Sequence, residues 1–294
     1  MRNGFLTSLV AKNRRNNLKW RVPSAMVAAI ALLFAFQGFS RADDDHNSGA
    51  DDDHEATAIT TCGVINQPGR YFLANDLKHC DSGLSIAVSH VQLQLRSHTM
   101  QSDAVPPSMI SVNGGAAGLS YIEIEGPGTV TGGVAGIEFD NVHLSWVHNV
   151  MMVGNVDGID IKASDITNDA TASTDNEFRD NVASGNAVHG IQVNGGNYNS
   201  FIHNNLSGNF SDGLQFLNAK HNVVRQNTVD ANGFNGIDVG VLGSENIIDH
   251  NTALGNGRSG TFGLFDILDN NNICPPNNSW TNNSFNLNSP VCIM

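Results

Sequence analysis

Asparagine recurs through the second half of this chain at a nearly constant interval. The six members of the series are separated by 32, 23, 23, 24 and 32 residues. They are Asn149, Asn181, Asn204, Asn227, Asn251 and Asn283. A repeat of this length is typical of a solenoid, whose coils stack on one another. Asparagine tolerates the left-handed turn conformation, and asparagines one coil apart, at about 4.8 Å, are close enough to hydrogen-bond to each other.

Two apolar columns run beside this asparagine series. The residues three positions before the asparagines are predicted to point inward, and they are Trp146, Phe178, Phe201, Val224, Ile248 and Trp280. The residues two positions after the asparagines form the second column, which consists of Met151, Ala183, Leu206, Val229, Ala253 and Phe285. A unit of this size without an amphipathic helix cannot bury its apolar side alone, but stacked coils share one core.

Short segments of the form Gly-apolar-x-apolar supply a third column. Alternation over so few residues has the period of a β-strand. The segments begin at Gly136, Gly158, Gly190, Gly213 and Gly236. Less regular strand-like runs precede them, at residues 84–88, 91–95, 109–112, 121–124 and 129–130. We therefore predict an all-β fold, a single-stranded parallel β-helix with three short strands in each coil of about 23 residues, over residues 59–290.

The first 42 residues are predicted to be a signal peptide. Basic residues precede an apolar run at residues 25–36, and Ser40 and Ala42 provide the small residues that a signal peptidase recognises. The run is shorter than the roughly 20 residues that cross a bilayer as a helix, so a retained membrane anchor is the weaker interpretation. Cleavage after Ala42 would leave the protein periplasmic or secreted, through either the general or the twin-arginine export route.

Loss of residues 1–42 leaves a strongly acidic chain. It removes seven of the 15 basic residues and none of the 28 acidic ones, so that the net charge becomes −20 with histidine neutral. Such a surface repels nucleic acid and anionic membranes. We expect neither as a partner, and we predict no membrane span in the mature protein.

Residues 43–58 are predicted to be an acidic, histidine-containing linker. Three aspartates followed by a histidine occur at residues 43–46 and again at residues 51–54. A tract of this composition is typical of a solvated linker. Weak binding of a divalent metal through carboxylate and imidazole ligands is the alternative.

The four cysteines fall into two separated pairs. Local pairing joins Cys62 to Cys80 and Cys274 to Cys292, and each disulfide would close a loop near one end of the β-helix. An oxidising destination favours disulfides, and each is expected to contribute roughly 3 kcal/mol to stability. A four-cysteine metal site is disfavoured, because the close Cys-x-x-Cys spacing of such sites is missing.

The start of the predicted β-helix resembles a known group of proteins. The residues that carry the resemblance are Cys62-Gly63, Pro68-Gly69-Arg70-Tyr71-Phe72-Leu73, Asp76-Leu77 and Cys80, followed by Ile86, Val88, Val91, Leu93, Leu95 and His98. This pattern is similar to the opening of bacterial right-handed parallel β-helix proteins of the pectin-lyase-like and NosD-like superfamily. The resemblance implies a right-handed coil and a scaffold used by sugar-polymer lyases, hydrolases, epimerases and binding proteins.

One outer face of the β-helix carries the candidate site. The middle residue of each Gly-apolar-x-apolar segment is predicted to face solvent, which gives an outward row of Glu138, Asp160, Gln192, Gln215 and Asp238, with Asp266 as a sixth candidate. The residues before the glycines are expected to add a parallel row of Asp157, His189, Asp212 and Asn235. We call these two rows the stripe. Neighbouring coils place Glu138 and Asp160 about 5 Å apart, where two carboxylates raise each other's proton affinity or share a cation.

We predict that Asp157, Asp160 and His189 are catalytic if the protein is an enzyme, the aspartates in acid-base or cation-binding roles and the histidine in proton transfer. The other stripe residues are predicted to bind substrate, and they are Glu138, Gln192, Asp212, Gln215, Asn235 and Asp238. Acid-base cleavage of a glycosidic bond uses two carboxyl groups about 5 to 9 Å apart. The cofactor stays open, and calcium held by carboxylates, which polyuronate lyases often use, is the candidate. An extra loop at residues 163–174 leaves the coil beside the stripe, and binding residues concentrate on such loops.

Residues 155–160 resemble the first active-site motif of polygalacturonase-type glycosidases, and residues 188–191 resemble their histidine motif. The paired aspartates of that family are missing between the two motifs, and so is the Arg-x-Lys that follows them. Those absences remove the general acid and the substrate clamp that the resemblance implies, so a standard polygalacturonase is disfavoured.

Two functions stay open at this point. The first is an exported β-helix protein that binds or processes an extracellular or cell-envelope polysaccharide along the stripe. The second is a catalytically inactive structural or adhesive module, in which the stripe is only the hydrated face of a solenoid. The acidic stripe disfavours an unaided polyuronate, because like charges repel, whereas a neutral glycan or calcium bridging removes that objection.

Overall fold

The computed structural model describes residues 56–104, 108–163, 165, 169–259, 264–271, 277–290 and 293. Within these residues the chain forms 28 short β-strands and one 3-10 helix, Asp169–Thr171. Every ladder between the strands is parallel. The prediction of an all-β parallel β-helix is therefore confirmed.

Two long sheets run along the stack of coils. Sheet A has ten strands, which in stacking order are Thr57–Ile59, Gly69–Leu73, Val91–Gln94, Ile122–Glu125, Trp146–His148, Glu177–Arg179, Ser200–Ile202, Val223–Arg225, Ile247–Asp249 and Ser279–Thr281. Sheet B also has ten strands, which are Val64–Ile65, Leu84–Ile86, Ser108–Asn113, Ala135–Asp140, Asp157–Lys162, Ile191–Asn194, Leu214–Leu217, Ile237–Val239, Ile267–Asp269 and Asn288–Ser289.

A narrower sheet C completes each coil. One part of it consists of Thr99–Gln101, Thr129–Thr131, Met151–Val153 and Val182–Ser184, and the other pairs Thr252–Ala253 with Ser284–Phe285. Single bridges through Asn205 and Thr228 connect the two parts. A small extra ladder, between sheets B and A along the chain, pairs Leu119–Ser120 with Val142–His143.

The core is a set of columns that runs through successive coils. Phe178 and Phe201 are fully buried, and their rings stack with centroids 5.3 Å apart. Phe139 packs against Phe178 from one side, and Phe216 packs against Phe201 from the other. Each coil therefore buries its apolar residues against the coils above and below it, as expected for a unit that has no core of its own.

An asparagine ladder lies at each of three corners of the coil. The ladder between sheets A and C contains the predicted asparagines from Asn181 to Asn283. The other two ladders, which the sequence analysis missed, lie five residues before and five residues after it in each coil. They are Asn176, Asn199, Asn222, Asn246 and Asn278 at the corner before sheet A, and Asn155, Asn186, Asn209, Asn232 and Asn256 at the corner before sheet B.

Asn204 shows how a ladder residue is bonded. Its Oδ1 accepts a hydrogen bond from the backbone N–H of Asn181, in the preceding coil, at 3.0 Å. Its Nδ2 donates to the carbonyl oxygen of Phe178 at 2.9 Å and to Oδ1 of Asn227 at 3.0 Å. The ladders thus satisfy buried backbone groups at the corners, where the strands end and the sheets no longer provide partners.

The first member of the predicted series is displaced by one residue. Sheet A pairs Val147 with Phe178, so Val150 occupies the ladder position, and its backbone N–H donates to Oδ1 of Asn181 at 3.0 Å. Asn149 is instead an exposed corner residue with a φ of 59°. The prediction that Asn149 belongs to the ladder is therefore wrong.

The same one-residue shift makes the prediction wrong for the first member of each apolar column. Because strand side chains alternate, a shift of one residue exchanges inside for outside. Trp146 and Met151 are 42% and 43% exposed, and Val147 and Met152 fill the core in their place. The prediction is confirmed for the buried members of the columns, which are Phe178, Phe201, Val224, Ile248, Trp280, Ala183, Leu206, Val229 and Ala253.

One of the two predicted disulfides is present. Cys62 and Cys80 are bonded, with their Cα atoms 5.6 Å apart, and Cys80 is buried. Cys274 and Cys292 lie outside the described residues, as do the predicted signal peptide and residues 43–55 of the predicted linker. Within the described part of the chain, no helix has the length and apolar character needed to cross a membrane.

Replacement of Asn204 by alanine is expected to lower the free energy of unfolding by about 2–4 kcal/mol, because it leaves the buried N–H of Asn181 and the carbonyl of Phe178 without their partner. Asn205→Ala is the matched control, since this neighbouring asparagine is exposed and a surface change of this kind costs about 0.5 kcal/mol or less. Urea unfolding followed by circular dichroism measures both. Equal midpoints for the two variants would show that the ladder does not stabilise the stack.

Candidate functional site

The predicted outward row lies on the outer face of sheet B. The strand register places Glu138 beside Asp160, Asp160 beside Gln192, Gln192 beside Gln215, and Gln215 beside Asp238. Five polar side chains from five consecutive coils therefore form one line along the stack. Its length is about 19 Å, four steps of the strand spacing.

The two rows of the stripe are less exposed than predicted. Asp160 is only 5% exposed, although its strand position faces outward. The row before the glycines is buried throughout, and it comprises Asp157, His189, Asp212 and Asn235. The expectation of two solvated rows is therefore wrong for these five residues. Neighbouring coils are close enough for their side chains to cover one another, which a single repeat does not reveal.

A lysine joins the first two carboxylates of the row. Lys162 Nζ lies 2.9 Å from Asp160 Oδ2 and 3.3 Å from Glu138 Oε2. Ser108 donates its hydroxyl to Glu138 Oε2 at 2.5 Å. The cation that the sequence analysis expected these carboxylates to share is thus an ammonium group of the same chain. It places a positive charge between Glu138 and Asp160.

Lys162 was missed by the sequence analysis. It follows Asp160 by two residues in the same strand, and this spacing puts both side chains on one face. Burial by itself lowers the pKa of Lys162, but the hydrogen bond to Asp160 and the charges of Asp160 and Glu138 outweigh it and raise the pKa. Lys162 therefore stays a cation and holds the two carboxylates together.

Asp160 has an oxygen without a donor. Its Oδ1 is buried and accepts no hydrogen bond from the described residues. Burial raises the pKa of Asp160 to about 6, the charges of Asp157 and Glu138 act in the same direction, and Lys162 opposes the shift. A carboxyl group with this pKa is protonated in a fraction of the molecules near neutral pH, which suits it to proton transfer.

Three buried groups form a chain beside the row. His189 Nδ1 lies 3.3 Å from Asp157 Oδ1, and His189 Nε2 lies 3.4 Å from Asp212 Oδ2. The backbone N–H of His189 also donates to Asp157 Oδ1 at 2.9 Å. Burial lowers the pKa of His189 despite the two carboxylates, and burial raises the pKa of Asp212. The structure therefore brings two of the three predicted catalytic residues into contact.

Amide and carboxyl groups continue the row toward the later coils. Gln192 donates to Gln215 Oε1 at 3.0 Å, and Gln215 donates to Asp212 Oδ2 at 3.1 Å. Asp238 accepts from Asn270 at 2.7 Å. Burial raises the pKa of Asp238 to about 7, and the charge of Asp212 adds to this effect. The row therefore contains two polar groups, one joined through Lys162 and one that begins at Gln192, and several of their carboxyl groups are poorly solvated.

Two further candidates have structural contacts. Asp266 does not join the row, because Leu268 pairs with Asp238 in the sheet. Its Oδ1 instead accepts from Asn256, the last asparagine of one ladder, at 3.0 Å. Asn235 bonds the neighbouring coils in a similar way, since its N–H donates to Asp212 Oδ1 at 2.7 Å and its Oδ1 accepts from the N–H of Phe265 at 2.9 Å.

The extra loop begins where the Asp157–Lys162 strand ends. Ala163 and Ala172 form an antiparallel bridge at its base, and the N–H of Ser173 donates to the carbonyl of Lys162 at 3.3 Å. Thr171 exchanges hydrogen bonds with the backbone of Asp165. The loop therefore leaves and rejoins the coil next to Lys162, at one border of the stripe.

Solved structures share this architecture at low sequence identity. The A-module of the mannuronan C-5 epimerase AlgE4 of Azotobacter vinelandii is similar with a TM-score of 0.52 and 12% identity, over 78% of this chain and 76% of that one. The full-length tailspike protein 2 of the Escherichia coli O157:H7 bacteriophage CAB120 is similar with a TM-score of 0.43 and 12% identity, over 77% of this chain and 34% of that one. At 12% identity the likeness to the AlgE4 A-module shows the fold alone.

No curated protein matches the sequence of this chain. The model of the family described as "Right handed beta helix region" matches residues 122–294, which is more than half of the 294 residues. The family match agrees with the parallel ladders and with the stacked core described above. The chain therefore belongs to the right-handed β-helix family.

Proposed function

We propose that this protein is exported to the periplasm or the cell exterior and binds a neutral polysaccharide along the outer face of sheet B. The observation that carries the proposal is the in-register row from Glu138 to Asp238, a straight polar line of about 19 Å. A linear polymer fits a linear row, because successive sugar units meet successive coils. Glu138, Gln192 and Gln215 are partly exposed, and their side chains are the proposed contacts for sugar hydroxyls.

The charge of the row favours a neutral glycan. Glu138, Asp160, Asp212 and Asp238 lie on or beside it, and Lys162 offsets only part of this charge. A polyuronate would meet like charges at close range. A neutral sugar has no such penalty, and the raised pKa values of Asp160 and Asp238 reduce the charge of the face further near neutral pH.

Asp160 is the candidate acid if the bound polymer is also processed. Its pKa of about 6 leaves it partly protonated near neutral pH, as a proton donor to a glycosidic oxygen requires. His189 is the candidate proton-transfer partner, and Asp157 orients it through the contact at Nδ1. The A-module with the similar fold is a mannuronan epimerase by name, so this architecture is compatible with chemistry on a polysaccharide.

A structural or adhesive module is the second candidate, and one observation favours it. The residues before the glycines bond neighbouring coils to each other, as Asp157 does to the N–H of His189 and Asp212 does to the N–H of Asn235. Such contacts stabilise the stack whether or not a ligand binds. Assays of glycan binding and turnover separate the two functions.

We expect the protein to bind a neutral polysaccharide in native gel electrophoresis. One set of gels contains hydroxyethyl cellulose, glucomannan or dextran, and an anionic set contains polygalacturonate or alginate. Mobility should fall in at least one neutral gel, with or without calcium. Gln192→Ala should weaken this retardation at least threefold, because it removes a partly exposed amide from the row. Gln67→Ala is the control, because Gln67 is exposed and lies next to the first strand of sheet B, five strands from that of Gln192. Unchanged mobility of the wild-type protein in every gel would exclude the binding proposal for these polymers.

Turnover is tested by reducing-end and unsaturated-product assays on the same polymers. If the wild-type protein cleaves one of them, Asp160→Asn should lower the rate at least 100-fold, since loss of general acid catalysis costs about 10²–10⁴. Asp175→Asn makes the same chemical change at an exposed corner and should leave the rate unchanged. Binding without turnover would retain the proposed ligand and remove the catalytic roles.

Stability is expected to depend on pH through Asp238. Its pKa is about 7 in the folded protein, so between about pH 4 and 7 the folded state binds more protons than the unfolded state, and stability falls as the pH rises. Asp238→Asn removes this dependence. Between pH 4 and 7 its free energy of unfolding should therefore increase by about 2–4 kcal/mol relative to that of the wild-type protein. Urea midpoints at pH 4, 5, 6 and 7 measure the difference. Parallel curves for the two proteins would contradict the shifted pKa, and Asp175→Asn serves as the control.

A further inference from the structure

A second cluster of ionisable side chains lies on the outer face of sheet A. Glu123 and Glu125 alternate on the strand Ile122–Glu125, so both point outward. His148 lies on the next strand, Trp146–His148, and pairs with Glu125 in the register. The cluster therefore spans two consecutive coils and shares no residue with the stripe.

The three side chains converge. His148 Nε2 lies 3.0 Å from Glu123 Oε1. One ligand atom from each of Glu123, Glu125 and His148 can be chosen so that all three atoms lie within 4.8 Å of one another. All three residues are half-buried, so their side chains are packed in part and accessible to solvent in part.

The sheet holds the three residues in place from below. Ile122, Ile124 and Val147 alternate with them and are fully buried in the core. From the preceding coil, Gln94 donates its amide to Glu125 Oε2 at 3.3 Å. An outer partner of this kind orients a carboxylate and leaves its other oxygen directed elsewhere. The positions of the ligand atoms are thus set by strand register and packing rather than by a loop.

The chemistry of the three groups selects the ion. One imidazole nitrogen and two carboxylate oxygens suit zinc, whereas calcium prefers six to eight oxygen ligands. Zinc binds nitrogen at about 2.0–2.1 Å and carboxylate oxygen at about 2.0–2.2 Å, so small rotations of the side chains bring the three atoms into range. Two glutamates on alternate positions also repel each other, and a divalent cation between them removes that repulsion.

We infer that Glu123, Glu125 and His148 form a zinc site that joins two consecutive coils of the β-helix. The protein supplies three ligands, and the fourth position faces solvent, where water completes the tetrahedron. Because the ligands come from two coils, a bound ion resists their separation and stabilises the stack. This inference does not depend on the proposed glycan binding.

The test is calorimetric titration of the chelator-treated full chain with zinc chloride. Weak metal binding by the acidic tract is the alternative interpretation of residues 43–58, so His46→Ala and His54→Ala are combined as the background to remove it. In this background we expect one zinc ion per chain, and zinc should raise the urea midpoint. Glu123→Gln and His148→Gln should each weaken the affinity at least tenfold and abolish the rise in the midpoint.

His203→Gln is the matched control, because His203 lies 3.6 Å from Asp180 on the same side of the coil in a pair with a single carboxylate. Trp146 adds a local readout, since it pairs with Glu123 in the register and is exposed. Cobalt, which replaces zinc at such sites and quenches nearby tryptophan fluorescence, should quench the background protein, and Trp146→Phe should remove most of the quenching. Zinc affinity that survives both Glu123→Gln and His148→Gln, or quenching that survives Trp146→Phe, would overturn the inference.

Discussion

The hydrogen bond from a corner N–H to the asparagine side chain of the next coil is the interaction on which the structure depends. Strands of two to six residues leave many corner groups that no sheet can pair, and buried unpaired groups cost about 1–3 kcal/mol each. The ladders pair these groups at three corners in every regular coil. They also fix the distance and the lateral position of each coil relative to the next.

That constraint explains why the outer face is ordered. When each coil repeats the corner of the previous one, residues at the same repeat position fall into line, on the surface as well as in the core. The row from Glu138 to Asp238 follows this register. The cluster around His148 lies in the coils before the ladders, where Ser145 Oγ accepts the corner N–H of Ile122 and the strands are in register as well. At the late ends of two ladders the carboxylates of Asp266 and Asp269 replace asparagine and accept the last amide hydrogens.

The sequence predicted the fold class, most of the core columns and the membership of the outward row. It revealed one ladder out of three, although the other two repeat at the same interval five residues to either side. The error at Asn149 arose because an exposed corner asparagine happens to precede Val150, which holds the ladder position. Burial of Asp157, Asp160 and His189 was also missed, since it comes from contacts with neighbouring coils, and a pattern within one repeat cannot measure them.

The two long intervals of the repeat show where this architecture accepts new material. The additional residues of the first long coil depart from the coil after Lys162, at the end of a sheet B strand. The chain rejoins the coil at Ser173. In the second long coil, the segment between Asn256 and Asp266 is longer than its counterpart and leads into a sheet B strand, yet Asn256 still bonds to Asp266. Extra residues enter and leave the coil at these borders without disturbing the ladders. The surface can therefore diversify in shape and chemistry while the stack beneath it keeps the same construction.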